Sequence, residues 1–368
     1  MNRIIDFLKK EIVLSVSFVL ALISMFFVPP SEKYFDYIDF RTLGLLFSLM
    51  TIMAGLNKMG FFRLLAKNLL NKAKTMRGVT LLLVLLCFFS SMLITNDVAL
   101  ITFVPFSVVL LKLANKQNRM IFVVTLETIA ANLGSMLTPI GNPQNLYLFS
   151  AYNMSISDFF YTIAPYAMLS LGLLVIFSLF SDKSELANLG DREEVIFDKR
   201  LLTMYAVLFA IALLSVFRVL NYIVLLAAVI VFVLIFDRKV LLKVDYSLLF
   251  TFAFLFIFIG NLGNIAQINS WLSEIVGGNE VVVGVLASQV FSNVPAAILL
   301  SGFTCNAAAL MIGVNIGGLG TLIASMASLI SFKFIQKESV SIAKYPGVFT
   351  LLNVVFLAAN LALWVVVK

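Results

Sequence analysis

Long apolar runs alternate with short polar or charged segments along the whole chain. Residues 12–28, 159–180 and 348–367 contain no charged side chain, and about 20 apolar residues are enough for a helix to cross the hydrocarbon core of a bilayer. Hydrophobic residues make up 61% of the 368 positions and charged residues only 12%. The pattern predicts an all-α polytopic membrane protein, because a helix satisfies its own backbone hydrogen bonds in lipid.

Two of the apolar runs are interrupted by glycine, proline and asparagine. In residues 120–150 the interruption runs from Asn132 to Asn145, and in residues 307–332 a glycine-rich segment follows Asn315. A helix that breaks at membrane depth leaves backbone groups unpaired, so such a break survives only where it lines a cavity or a binding site. We predict a broken transmembrane helix in each segment.

A third unusual run, residues 79–111, contains a single charged residue, Asp97, in its middle. The arms on either side of Asp97 are shorter than a crossing requires, and cations resume at Lys112. We therefore predict a re-entrant hairpin that enters and leaves by the cytoplasmic face.

Residues 281–304 are long enough for one crossing, but charge argues for a second hairpin. One crossing would place Lys333, Lys337 and Lys344 outside, against the positive-inside rule. A hairpin with Ser292 and Asn293 at its tip keeps these lysines inside.

The distribution of cations predicts about nine crossings plus the two hairpins, with a cytoplasmic amino terminus. Residues 58–77 carry six cations and no acid, which is typical of a cytoplasmic loop, and residues 61–70 have the pattern of a helix lying on the membrane surface. Topology thus accounts for the net charge of +7, and we expect no nucleic-acid partner.

The two halves of the chain have the same order of elements. Residues 1–181 form the first repeat, residues 182–218 a cytoplasmic linker with a connecting helix, and residues 219–368 the second repeat. Because the first hairpin opens inward and the second outward, the repeats are predicted to be inverted, as in many secondary transporters.

Two acids, Asp97 and Glu127, fall within apolar runs, where an ionisable side chain is expensive and suggests function. Asp97 either caps the second hairpin arm or carries a proton or a cation. Glu127 either points at the break near Asn132 or braces the helices through a hydrogen bond. Both are candidates for proton or cation coupling.

Hydroxyl and amide side chains cluster at the tips and breaks, beside helix ends that present free carbonyl and N–H groups to ions. The candidate substrate- and ion-binding residues are Thr95, Asn96, Asp97, Asn132, Gly134, Thr138, Pro139, Asn142, Asn145, Ser292, Asn293, Asn315, Gly317 and Thr321. The chain has no histidine and no hydrolase, metalloprotease or P-loop motif. We expect no enzyme and no cofactor, only Na⁺ or H⁺ as a coupling ion.

The tips at Thr95-Asn96-Asp97 and Ser292-Asn293, together with the two breaks, resemble the ion transporter superfamily. They are most similar to its branch of citrate-transporter-like, arsenite-permease-like and sodium/proton-antiporter-like proteins. In related sodium-coupled dicarboxylate symporters both tips read Ser-Asn-Thr and bind sodium and the substrate carboxylate. The resemblance implies Na⁺ sites at Thr95, Asn96, Asp97, Ser292 and Asn293, a homodimer, and an elevator-like motion.

These observations predict a secondary transporter of a small anion, a di- or tricarboxylate such as citrate or succinate, driven by Na⁺ or H⁺. It would lie in the lipid bilayer of a prokaryotic cytoplasmic membrane. No Lys or Arg falls at the predicted site, which weighs against an anion. Alternatives are an arsenite or antimonite efflux permease and a Na⁺/H⁺ antiporter, and, from other classes, a passive channel or a membrane-embedded enzyme.

Overall fold

The computed structural model describes residues 11–60, 75–184, 198–338 and 342–367, and this part of the chain is helical without strands. The helices of the first half are α1 (Ile12–Phe27), α2 (Lys33–Tyr37), α3 (Phe40–Lys58), α4 (Met76–Ile94), α5 (Asn96–Leu113), α6 (Met120–Ser135), α7 (Pro143–Ala151), α8 (Ile156–Leu179) and α9 (Lys199–Val216). Those of the second half are α10 (Tyr222–Phe236), α11 (Tyr246–Gly263), α12 (Ala266–Val276), α13 (Glu280–Phe291), α14 (Asn293–Ser301), α15 (Ala307–Ile316), α16 (Met326–Gln336) and α17 (Tyr345–Val367).

The predicted all-α membrane architecture is confirmed. Among the described residues, 7 helices are long and apolar enough to cross a membrane, or 8 if the bent pair α12 and α13 counts as one span. The predicted nine crossings are a different set. They leave out α4 and α5, which were predicted as the two arms of one hairpin but are each long enough to be a span. They include the two broken helices, and also α1 and α10, which have only 16 and 15 residues. The inverted orientation and the cytoplasmic amino terminus stay predictions, and the surface helix at 61–70 lies outside the described residues.

The helices break where glycine, proline and asparagine interrupt the apolar pattern. α6 ends at Ser135 and α7 begins at Pro143, while α15 ends at Ile316 and α16 begins at Met326. Pro143 occupies the first turn of α7, where its missing N–H costs little.

The arms of the first hairpin are longer than the sequence suggested. α4 and α5 have 19 and 18 residues, because α4 starts early, where the Thr75 hydroxyl accepts a hydrogen bond from the Gly78 N–H, and because α5 runs past Lys112. The predicted arms were shorter because they were limited to residues 79–111, which leaves out the charged ends of both helices. The second hairpin has short arms, α13 and α14, of 12 and 9 residues.

The helices pack as two groups. One group, here called the scaffold body, pairs α1 with α11 and packs α9 and α10 on α3. The other, the hairpin body, packs α4 and α5 on α6, and α13 and α14 on α15. In the same body α7 packs on α14, α16 packs on α5 and α6, and α8 and α17 lie around them. The two bodies meet mainly where α3 contacts α7 and where α11 contacts α14.

Candidate functional site

The two hairpin tips share an unusual backbone conformation. Thr95 has φ 70° and ψ 151°, and Ser292 has φ 72° and ψ 154°. Positive φ is uncommon outside glycine, and for a β-branched threonine it is a genuine outlier. Strained residues of this kind cluster at ligand-binding and switch regions, so the shared conformation marks both tips as candidate sites.

Each tip binds the break of its own half through the backbone. The Asn96 N–H donates to the Gly141 carbonyl at 3.2 Å, and the Asn293 N–H donates to the Ala324 carbonyl at 3.0 Å. Gly141 and Ala324 occupy equivalent places, each nine residues after the asparagine that precedes its break. The two halves therefore hold tip and break together in the same way.

Side chains of the two breaks also bind across the halves. The Asn132 Oδ1 accepts from Ser325 Oγ at 3.0 Å, and the Asn315 Oδ1 accepts from Asn142 Nδ2 at 3.4 Å. Ser325 and Asn142 each lie ten residues after the asparagine of their own break. This reciprocal exchange uses equivalent positions of the two halves and places the two breaks in contact.

Hydrogen bonds of four predicted asparagines connect these groups further. Asn96 Nδ2 donates to Asn132 Oδ1 at 3.0 Å. Asn315 Nδ2 donates to Asn145 Oδ1 at 2.6 Å, and Asn145 Nδ2 donates to the Met136 carbonyl at 3.0 Å. Because all of these amides are buried, the tip and both breaks form one polar network inside an apolar body.

Two predicted glycines allow the arms to approach the breaks. A Cβ at Gly134 would lie 2.1 Å from the Phe88 carbonyl oxygen of α4. A Cβ at Gly317 would lie 2.8 Å from Ser288 Oγ of α13. Gly134 and Gly317 each follow the break asparagine by two residues, so both halves use the same close contact.

The remaining predicted residues lie around the breaks. Thr138 Oγ1 donates to the Met92 carbonyl, and Pro139 is buried beside it. Ser292 Oγ is buried without a hydrogen-bond partner among the described residues. Thr321 is exposed, and its N–H donates to Gln289 Oε1 at 3.0 Å.

Asp97 lies on the wall of a cavity of about 790 Å³ between the two bodies, together with Thr95 and Asn142. Residues of α3, among them Leu49 and Met53, line the opposite wall. Asp97 is in the first turn of α5, where a negative charge is favourable. The N-cap residue of this helix is Thr95, whose side chain makes no capping hydrogen bond, and Asp97 Oδ1 is buried without a partner among the described residues. Oδ1 therefore caps no helix N–H among the described residues, and the role of Asp97 stays a prediction.

Lysines also line this cavity, contrary to the expectation that no cation lies at the site. Lys58, Lys243 and Lys333 contribute to its wall, with Asp245. The sequence placed each lysine at the end of an apolar run and hence in a loop, and only the packing of the two bodies brings them to one cavity.

Glu127 lies apart from the cavity. Its side chain is fully buried and faces the hairpin arms, where Ser107 Oγ of α5 is 2.5 Å from Oε1 and Cys87 Sγ of α4 is 3.9 Å away. Ser107 Oγ is also 3.0 Å from the Phe103 carbonyl. Because the serine has one hydrogen for two acceptors, a protonated Glu127 that donates to Ser107 satisfies both contacts.

Two further polar residues were missed by the sequence analysis. Gln289 Nε2 donates to the Gly317 and Leu319 carbonyls at 2.8 and 2.9 Å, so it holds the second break open. Gln144 is 1% exposed, and neither of its side-chain polar atoms has a partner among the described residues. The position of Gln144, a polar residue directly after the first break, could have identified it as a candidate site residue.

Residues 4–312 match the citrate transporter family, CitMHS. The chain belongs to this family. It is 32% identical over 350 residues to an uncharacterized transporter of Methanocaldococcus jannaschii, covering 94% of this chain and 95% of the relative. It is 33% identical over 328 residues to the inner membrane protein YbiR of Escherichia coli, covering 84% and 83%.

A more distant similarity covers about half of the chain. The match to the silicon efflux transporter LSI3 of rice is 33% identical over 162 residues, which is 43% of this chain and 32% of the relative. Together with the apolar helices, the family identifies the protein as an integral membrane transporter.

Proposed function

We propose that the protein is a secondary active transporter that moves a small di- or tricarboxylate across the membrane, coupled to Na⁺ or H⁺. The observation that carries the proposal is the cavity between the two bodies. One wall holds Asp97 and the tip of the first hairpin, and lysines also line the cavity. The family name, citrate transporter, agrees with a carboxylate substrate.

The arrangement supports an elevator-type motion. The first tip and both breaks, held to one another by the polar network, belong to the hairpin body, as does the second tip, whereas α3 on the opposite wall belongs to the scaffold body. Between α3 and α5 one hydrogen bond, from Thr102 Oγ1 to Asn57 Oδ1 at 3.0 Å, joins the bodies beside the cavity. Away from the cavity, Arg218 of the scaffold body donates to the Phe149 and Met154 carbonyls at 2.9 and 3.4 Å. A body that carries both tips and both breaks, and that has few polar ties to its neighbour among the described residues, is suited to move as a unit.

Asp97 supplies the coupling step in this proposal. An ionised Asp97 repels a carboxylate from the cavity, whereas a bound Na⁺ or H⁺ removes that repulsion. Substrate therefore binds well only when the cation is present. Na⁺ would also contact the oxygens of Thr95 and the free carbonyls at the tip, which are the ligands that hard cations prefer.

We further propose that the protein acts as a homodimer in a prokaryotic cytoplasmic membrane, with no cofactor and no nucleic-acid partner. The family resemblance supports the dimer, and the similarity to an inner membrane protein supports the location. Size measurement of the detergent-solubilised protein by light scattering tests the oligomeric state.

A second candidate function is efflux of a neutral metalloid hydroxide. The partial similarity to a silicon efflux transporter favours it, as does a similarity to a putative transporter named arsB of Dictyostelium discoideum. A neutral substrate would need no lysine in the cavity, so the lysines favour the anion.

The first experiment uses purified protein in liposomes that contain a trapped pH-sensitive dye. A sodium pulse without organic substrate should leave the dye silent, and labelled citrate or succinate should then accumulate under a Na⁺ or H⁺ gradient. Proton movement on sodium alone would instead identify a Na⁺/H⁺ antiporter. Accumulation of antimonite without carboxylate uptake would establish the second candidate, and flux without any gradient dependence would indicate a channel.

A further inference from the structure

We propose that Lys243 and Lys333 form a two-sided anion clamp that recognises the carboxylates of the substrate, one lysine on each body. The inference rests on the proposed function, because it assigns the groups that bind a carboxylate in the same cavity.

The charges that line the cavity are not equivalent. Lys58 Nζ forms an ion pair with Asp237 Oδ1 at 2.6 Å, so its charge is already matched. Asp237 is buried at 7% exposure and also accepts a hydrogen bond from Tyr205 at 3.2 Å. Lys58 is thus fixed to the scaffold body and is not free to bind a substrate.

Asp245 is likewise engaged. It accepts a hydrogen bond from the Leu248 N–H at 3.0 Å at the start of α11, where the helix end stabilises its negative charge. The other acid on the rim is Glu11. Lys243 and Lys333 differ from Lys58, because neither has an ion-pair partner within residues 11–60, 75–184, 198–338 and 342–367.

The two lysines belong to different bodies. Lys333 lies on α16, the second half of the second broken helix, and α16 packs on α5, which carries Asp97. Lys243 ends the short 3₁₀ helix Arg238–Lys243 that precedes α11 in the scaffold body. An anion in the cavity can therefore contact a lysine that moves with the hairpin body and another that stays with the scaffold.

This placement connects anion binding with the coupling ion. With Asp97 ionised, its charge offsets one of the two lysines. With Asp97 neutralised by Na⁺ or H⁺, both lysines act on the substrate, and a substrate with two or three carboxylates gains more than one with a single carboxylate. The clamp thus predicts selectivity by substrate charge.

The experiment compares Lys333→Gln and Lys243→Gln with two matched controls in proteoliposomes. Lys337→Gln is the control for α16, because Lys337 lies over the Phe334 ring at 5.8 Å and outside the cavity lining. Lys239→Gln is the control for the 3₁₀ helix, because Lys239 is exposed and also outside the lining. KM and kcat are measured for acetate, succinate and citrate, and citrate-induced thermal stabilisation in detergent gives a second readout.

We expect each cavity variant to raise the KM for citrate about tenfold or more, because a hydrogen bond to a charged group is lost, with kcat little changed. The increase should be larger for citrate than for succinate, and Lys333→Arg should restore much of the affinity. Both control variants should match the wild type. All four lysines are exposed or at the cavity rim, so folding is expected to be retained, and the unliganded melting temperature checks it.

Two results would overturn the inference in distinguishable ways. If the wild type carries citrate and the cavity variants have the same KM and the same citrate stabilisation as the controls, the clamp is wrong and the proposed function stands. If the wild type carries no carboxylate at all, the proposed function fails and the clamp fails with it.

Discussion

Replacing Gly134 by alanine tests whether the first hairpin arm and the first break depend on direct backbone contact. The added Cβ would lie 2.1 Å from the Phe88 carbonyl oxygen and 2.7 Å from the Phe88 carbonyl carbon. Both obstacles are backbone atoms, so no side chain can rotate away and α4 must separate from α6. Overpacking of a tight core costs about 1–3 kcal/mol, and this contact belongs at the upper end of that range.

Gly172→Ala is the matched control. Gly172 lies inside α8, and a Cβ there meets nothing within 4 Å, so alanine should stabilise the helix by about 0.5–1 kcal/mol. We therefore expect the two variants to differ by about 2–4 kcal/mol in stability, in opposite directions from the wild type.

Thermal unfolding of the detergent-solubilised protein, followed by size-exclusion chromatography of heated samples, measures this difference. Gly317→Ala should also lower the melting temperature, because its Cβ would lie 2.6 Å from the Gly313 carbonyl oxygen. Equal melting temperatures for Gly134→Ala and Gly172→Ala would refute the close packing of arm and break.

Three further predictions concern acids. Asp97→Asn should remove the dependence of uptake on Na⁺ or H⁺ while the melting temperature stays near that of the wild type, and Asp158→Asn, an exposed control on α8, should change neither; unchanged gradient dependence in Asp97→Asn would exclude the coupling role. Glu127→Gln should keep stability and transport, whereas Glu127→Ala should lose about 1–3 kcal/mol in thermal unfolding, because the buried hydrogen bond between Glu127 and Ser107 is lost and only the Phe103 carbonyl still contacts Ser107; loss of transport in Glu127→Gln would show that its proton is exchanged. The hydrogen bond from Lys116 holds the pKa of Asp182 at about 2, below its ordinary value of about 3.9. The contribution of this ionised acid to stability is therefore complete above about pH 4 and is lost as the pH falls toward 2. In Asp182→Asn the melting temperature should depend less on pH between about 4 and 2.

The breaks could be predicted because local chemistry determines them. Glycine, proline and asparagine next to one another cannot continue an apolar helix, and the structure ends α6 and α15 within three residues of Asn132 and Asn315. In each half the break asparagine, Asn132 or Asn315, follows the hairpin tip in the sequence, so the order of tip and break could also be predicted. Each of these features depends on residues that are close in sequence.

The partners of the polar side chains could not be predicted, because they come from distant segments. Ser325 binds Asn132 from 193 positions away, and nothing in the sequence around Ser325 distinguishes it from an ordinary cap. Gln289 was predicted only as part of an apolar hairpin arm, because its partners Gly317 and Leu319 are also distant in sequence. The cavity lysines were assigned to loops, because hydropathy distinguishes residues inside a membrane span from residues outside it. It does not tell which other helix a residue faces.

The two hairpin tips have similar backbones but differ in one side chain. Their φ and ψ angles are nearly the same, yet the third tip residue is Asp97 in the first half and the buried Val294 in the second. A shared backbone can supply carbonyl ligands at both tips, but only the first tip carries an acid whose charge a cation could neutralise. The two repeats therefore share a backbone framework but differ in the side chain at this position. We expect gradient coupling to depend on the first tip, whereas substitutions at Val294 should change substrate affinity without removing the coupling.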